Sequence, residues 1–334
     1  MGKLFEGSVL DPLPPLSPLT LSNLSKSQEI PFQTDDGSPE EQLKDWETVS
    51  GLQASQRRVL KTLSSRGVFW KHPSKPIAEL FLLFHGGDVG ADGNCLFSSA
   101  SRALRFEGSP SDLRRRVVER FSEDYDAGVF PKGETDVTIR NLYRPDLELG
   151  WGVHFVQEMK ILARKRDREN LDASINDLVR VGLSRVAAAE SVYKERCISV
   201  ENGDSWAKYM SITGNTDDEY DIVSLHYTEE GLLSVDENRN GRAAAFGDDI
   251  AIETLATEFQ REIFVVQVHG SDATLDEEAM LFFLPHQPRG QITGPPIFLF
   301  MRGTGWCGAG ADHYEPLIAR AAPIVSKEKA VVVL

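Results

Sequence analysis

A chain of 334 residues, 41% hydrophobic and 26% charged, has the composition of an ordinary globular protein and room for one domain with extensions, or for two. Its formal charge of −15 argues against non-specific nucleic-acid binding and for partners that are basic or tolerate an acidic surface. The three cysteines (Cys95, Cys197, Cys307) form no CxxC, and no histidine pair stands at ligand spacing. A disulfide framework, a metal site and a cofactor are therefore not expected, and a reducing, cytoplasmic or nuclear compartment is.

The longest apolar run, near Ile77 to Phe84, is too short to span a bilayer, so no membrane partner is expected. No basic segment followed by an apolar one opens the chain, whereas the Ser-, Leu- and Pro-rich residues 12–28 leave a transit peptide open. Gly2 invites myristoylation, but Glu6 stands where that motif wants Ser or Thr.

Residues 1–38, with five prolines and many serines, read as a disordered tail. Residues 39–84 read as a helical extension: Leu43, Trp46 and Leu52 suggest one helix, and Val59, Leu60 and Leu63 mark a second over Ser55 to Ser65, stopped by Gly67. Gly86-Gly87 then leads to Gly90-Ala91-Asp92-Gly93-Asn94-Cys95-Leu96-Phe97, a turn that delivers a cysteine to a segment striped by Phe97, Ala100 and Leu104 at helical spacing. Ser109-Pro110-Ser111-Asp112 is a helix start with Ser as N-cap and Pro at the first position, and the helix is predicted to run to about Phe121.

Residues 131–205 read as a helical insertion, with Phe155, Met159 and Leu162 striping one helix, Ile175, Leu178 and Val179 another, and Val186 to Tyr193 a third. Lys160, Arg164, Lys165, Arg166 and Arg168 form a basic patch there, read as a solvated helix face. The acidic, Gly- and Asn-bearing residues 213–242 read as an inserted loop. After Phe246-Gly247-Asp248 comes a helix marked by Ile252, Leu255, Ala256 and Phe259, then strands at Ile263 to Val268, Met280 to Leu284 and Ile297 to Met301. A glycine-rich turn precedes Asp312-His313-Tyr314-Glu315-Pro316-Leu317, and residues 323–334 form a tail.

A thiol at a helix start sees unsatisfied N–H groups and the positive end of the macrodipole, which lower its pKa and favour the nucleophilic thiolate. Cys95 has that setting; the bland alternative is a small buried hydrophobe. Cys307 has no helix start. Neither Ser98 nor Ser99 has the elbow context of a serine nucleophile. Of seven histidines, only His313 stands at a strand boundary beside an acid, where a general base can project from a sheet, though a solvated turn histidine is the other reading. The third group is open between Glu315, which could accept from the imidazole Nδ1–H, and Asp92, expected to shape the loop. Backbone N–H groups of Asp92, Gly93, Asn94 and Cys95 are the expected oxyanion donors.

Asp-Gly-Asn-Cys-Leu-Phe resembles the nucleophile loop of the ovarian tumour (OTU) family of cysteine deubiquitinases. The helix–turn–helix that follows, the Gly247-Asp248 helix with its strand, and His313-Tyr314 are similar to the family's elements in the same order. Phe246 replaces the usual Trp, Asp248 the second Gly, Glu315 the usual Asp or Asn, and Ser98 a common basic residue. The resemblance covers residues near 85–121 and 206–320. It implies an α/β (α+β) papain-like fold with a small central sheet flanked by helices, over residues 85–322. It also implies no cofactor and hydrolysis of isopeptide bonds to ubiquitin, with ubiquitin or polyubiquitin chains and ubiquitinated proteins as partners. A ubiquitin-binding module without catalysis and a hydrolase for another ubiquitin-like modifier are the alternatives. The insertion is expected to add a ubiquitin-contacting lobe.

Overall fold

The computed structural model describes residues 43–129, 131–142, 157–270, 279–303, 313–324 and 329–334. Alternating apolar runs build its main sheet: β1 (Val68–Lys71), β2 (Ala78–His85), β7 (Ile263–His269), β8 (Met280–His286), β9 (Ile297–Arg302), β10 (His313–Ala322) and β11 (Val332–Val333). Their order is β11-β1-β2-β10-β9-β7-β8, with β1–β11 and β7–β9 parallel and the other pairs antiparallel. The molecule is thus mixed α/β. The central sheet is larger than expected, and β10, which opens on His313, lies between β2 and β9.

Strand alternation sends side chains to two different cores. One face, carrying Phe81, Leu83, Phe298, Phe300 and Leu317, packs on Trp46 and on Leu60 and Leu63 of α1 (Ala54–Ser65). The opposite face, with Val265, Leu299 and Tyr314, is covered by α2 (Cys95–Leu104), α3 (Pro110–Asp126), α7 (Gly203–Met210) and α8 (Asp249–Phe259). The Ser109 signal is realised as a capping box: Ser109 Oγ accepts from Asp112 N–H at 3.1 Å, and Asp112 Oδ2 accepts from Ser109 N–H at 3.1 Å.

Several expected elements differ. Where a helix was predicted around Trp46, the described residues form only a 3-10 turn, Trp46–Thr48, because Trp46 is drawn into the core against His85 and Phe300. The supposed helical extension supplies α1 and also β1 and β2, so it is part of the sheet itself. The tail adds β11, fixed by Val331 N–H to Gly67 O (2.8 Å) and Leu334 N–H to Phe69 O (2.9 Å).

The largest correction concerns residues 131–242. Besides α4 (Lys132–Leu142), α5 (Arg168–Arg180) and α6 (Arg185–Arg196), they contain β3 (Gln157–Arg164), β4 (Ile198–Ser199), β5 (Tyr220–Thr228) and β6 (Gly231–Asp236). These strands form a second antiparallel sheet, β4-β3-β5-β6. The stripe of Met159 and Leu162, read as helical, lies on β3; its third member, Phe155, is outside the described residues. The supposed inserted loop holds the β5–β6 hairpin. Both faces of this sheet are buried: Ile161, Val223 and Leu225 pack on α5 and α6, while Leu162 and Ile222 face the core shared with α3 and α7. Burial on both sides removes the polar/apolar alternation that marks a strand. The basic patch is no solvated helix face, since Lys160 bonds Ser224 Oγ at 2.9 Å, and Lys165 and Arg168 lie 3.9 and 3.7 Å from Asp221.

Candidate active site

Cys95 is the first residue of α2 and is buried. The loop before it is fixed by interactions from three directions. Gly93 has φ +84°, and a Cβ there would come within 2.6 Å of Ala244 Cβ, so both its conformation and its contact require glycine. Asp92 Oδ1 accepts the Asn94 N–H at 2.9 Å, and Asn94 Nδ2 donates to Thr213 O at 2.8 Å. Arg114, buried on α3, donates to Gly93 O (3.1 Å), Asn94 Oδ1 (2.8 Å), Met210 O (2.8 Å) and Ala245 O (2.9 Å). Its guanidinium carbon lies 4.4 Å from the Phe97 ring centroid, and burial pushes its pKa down to about 10. Gly247 completes the bed of the helix, since a Cβ there would fall 2.1 Å from Leu96 Cδ2. The neighbouring Phe246 is largely exposed.

The Asn94 N–H is therefore used inside the loop, which removes it from the expected oxyanion donors. Asp92 holds the loop through that bond. Its charge also opposes thiolate formation at Cys95. The expected depression of the thiol pKa is not realised. Burial pushes the Cys95 thiol up, and the backbone N–H groups of Tyr314, Leu96 and Cys95 counter that only in part. Desolvation outweighs the helix start because little water reaches the sulfur.

The Tyr314 N–H brings the sulfur to the beginning of β10, and Ser99 Oγ locks α2 there by donating to Tyr314 O at 2.8 Å. Ser99 is thus a structural tie. His313 and Glu315 stand at i and i+2 on one face of β10. His313 Nε2 lies 4.0 Å from Glu315 Oε1, so the nitrogen turned to the acid is Nε2, not the expected Nδ1. No hydrogen bond joins Cys95 Sγ to the His313 ring among the described residues, and catalytic hydrogen bonds are often long in substrate-free enzymes. Cys307 and Asp312 lie outside the described residues. Cys197 sits at the end of α6, half-buried, with a thiol that burial also pushes up.

Two residues at the site carried no expectation from sequence. One is Arg114. The other is His85, the last residue of β2 and fully buried, whose Nε2 lies 2.9 Å from Glu315 Oε2. The available signal was phase: Phe81, Leu83 and His85 share a strand face, so His85 occupies an apolar position just before Gly86-Gly87. Arg302, the register partner of His313, reaches Glu315 Oε1 at 3.4 Å.

His85, Asp88 and Glu315 bring one ligand atom each within 4.8 Å of one another. Lys44 already bonds Asp88, and Arg302 faces Glu315, so positive charge is supplied there without a metal. Of the other histidines, His72 Nδ1 accepts from Ser74 and Lys75 N–H, His226 contacts Glu158 and Ser234, and His269 contacts Gln267. Burial pushes the pKa of His286 down. His154 lies outside the described residues.

The assembled groups are a thiol at a helix start, an imidazole at a strand start and a carboxylate two residues on. That set suits acyl transfer through a thioester. Compared with models of protein families, the chain matches none, and compared with curated proteins it again finds no match.

Proposed function

We propose that this chain is a cysteine-type deubiquitinase of OTU type, with the thiol helix and histidine strand arranged as in papain-like proteases. The observation that carries the reading is the meeting of Asp92-Gly93-Asn94-Cys95 at the head of α2 with the head of β10, where His313 and Glu315 stand. In this mechanism His313 takes the Cys95 proton and the thiolate attacks the carbonyl carbon of ubiquitin's C-terminal glycine. The collapsing intermediate expels the substrate lysine amine, which takes its proton from His313. Water, deprotonated by His313, then cleaves the thioester and restores the thiol. Glu315, 4.0 Å from His313 Nε2, orients the imidazole. Ubiquitin or polyubiquitin chains and ubiquitinated proteins are the partners, and the acidic chain complements ubiquitin's basic recognition face. A cytoplasmic or nuclear location follows from the same reading. No helix among the described residues is long and apolar enough to cross a membrane.

The raised thiol pKa and the absent Cys95–His313 hydrogen bond favour a second reading, a ubiquitin-binding module with impaired catalysis. Reaction with a ubiquitin carrying a C-terminal electrophile separates them. An adduct lost in Cys95→Ala and kept in Cys307→Ala supports the enzyme. A folded protein that binds ubiquitin without forming an adduct supports the binding module, and an adduct surviving in Cys95→Ala refutes the choice of thiol.

A further inference from the structure

Glu315 is 1% exposed, and a buried carboxylate stays ionised only where donors and cations replace the water it has lost. The nearest donor is His85. Its Nδ1 accepts the Gly87 N–H at 3.2 Å, which leaves the ring proton on Nε2, 2.9 Å from Glu315 Oε2. The ring has little freedom. Trp46 meets it edge-on at 5.2 Å, Lys44 N–H holds the His85 carbonyl at 3.0 Å, and Leu317 of β10 is its register partner. The charged and titratable groups facing it are Glu315 and Asp88, with Arg302 and Lys44 beyond them.

We propose that His85 is a positioning residue for the thiol–imidazole pair: it holds Glu315 by Oε2 and so presents Oε1 to His313. A neutral donor is suited to this task. It fixes the carboxylate rotamer through Oε2 and leaves Oε1 turned to His313, whereas a guanidinium in full contact would take up both oxygens. This inference rests on the Cys95–His313 pairing proposed above and not on ubiquitin as substrate.

The test is alkylation of the full chain by iodoacetamide, read at Cys95 by peptide mass mapping against Cys197. His85→Phe keeps a ring against Trp46 but has no donor, whereas His85→Gln returns an amide donor toward Glu315. At pH 7, His85→Phe is expected to slow Cys95 alkylation by about 10- to 100-fold and His85→Gln to recover most of that loss. The midpoint of the pH–rate profile should rise in His85→Phe and stay near wild type in His85→Gln, a shift that lost packing alone would not produce. Should His85→Phe fail to fold, His85→Asn, whose amide is too short to reach Glu315, replaces it against His85→Gln. Equal rates in the donor and donorless variants, or a donorless variant as fast as wild type, overturn the proposal. So does wild-type Cys95 reacting no faster than Cys197. If the alkylation pattern holds and the ubiquitin electrophile forms no adduct, only the deubiquitinase reading falls.

Discussion

Glu237 and Glu315 are both buried acids, at 8% and 1% exposure, yet the protein treats them differently. Glu237, just past β6 in the second sheet, is gripped by Arg185 Nη2 at 2.9 Å on each oxygen and by Arg239 Nε at 3.2 Å. Glu315, on the central strand of the main sheet, has one close neutral donor in His85, an offset Arg302 at 3.4 Å and His313 at 4.0 Å. The first carboxylate has its charge fully matched and serves as a latch between α6 and the loop after β6. The second is held in place with charge left over for a neighbour. Burial and ionic contact are common to both, so on the proposed reading it is the way each charge is compensated that separates a latch from a group held for chemistry.

Arg114 is the extreme case of a buried charge used for grip, and its loss should have the largest effect. Arg114→Met removes the donor to three buried oxygens, Met210 O, Ala245 O and Gly93 O, and to the half-buried Asn94 Oδ1. A loss of about 3–5 kcal/mol is expected in urea unfolding, together with slower Cys95 alkylation as the loop before Cys95 loosens. A loss below about 1 kcal/mol would mean that water takes over those acceptors and that the loop does not depend on the grip.

The two glutamates can be compared directly. Glu315→Gln keeps the shape and the His85 contact but removes the charge, and should slow Cys95 alkylation by roughly 100-fold with little change in unfolding midpoint. Glu237→Gln should do the reverse, costing about 2 kcal/mol of stability and leaving the alkylation rate unchanged. If both substitutions lower stability and neither lowers the rate, Glu315 is a latch as well and the distinction fails.

These differences explain how much could be read from sequence. The Asp92–Phe97 loop, the Ser109 cap and the β-rich runs of β7 and β9 depend on local chemistry, and the structure places helix starts and strands there. His313 was picked out by its strand boundary and Glu315 as the acid two residues on in the resembled motif, and β10 puts both on one face. His85 was not, because its partner lies 230 residues away and only the β2–β10 pairing unites them. Arg114 stands among three consecutive arginines, and only helix phase separates it from its exposed neighbours, since it shares a face with Val117 and Phe121. The second sheet was hidden by its own burial. With apolar side chains on both sides, β3 lost the period of two and passed for a helix, while the acids and glycines around β5 and β6 resembled a loop.

Asp248, a half-buried acid, is handled in a third way and offers the smallest effect. It caps α8 by accepting the Ala251 N–H at 2.9 Å and has no ion pair among the described residues. Burial, with added repulsion from Asp249, pushes its pKa up from 3.8 to about 7, the Ala251 N–H opposing the shift. The folded state therefore holds a proton that the unfolded state has released, and stability falls as pH rises from about 4 to about 7. Asn caps a helix as well as Asp does and cannot titrate. Asp248→Asn should therefore remove about 1–2 kcal/mol of the wild type's pH dependence between pH 4.5 and 7.5, measured by urea unfolding of both proteins at both values. Parallel pH dependences in the two proteins would mean that Asp248 is ionised in the fold. The Ala251 N–H cap would then outweigh the loss of water around this half-buried carboxylate.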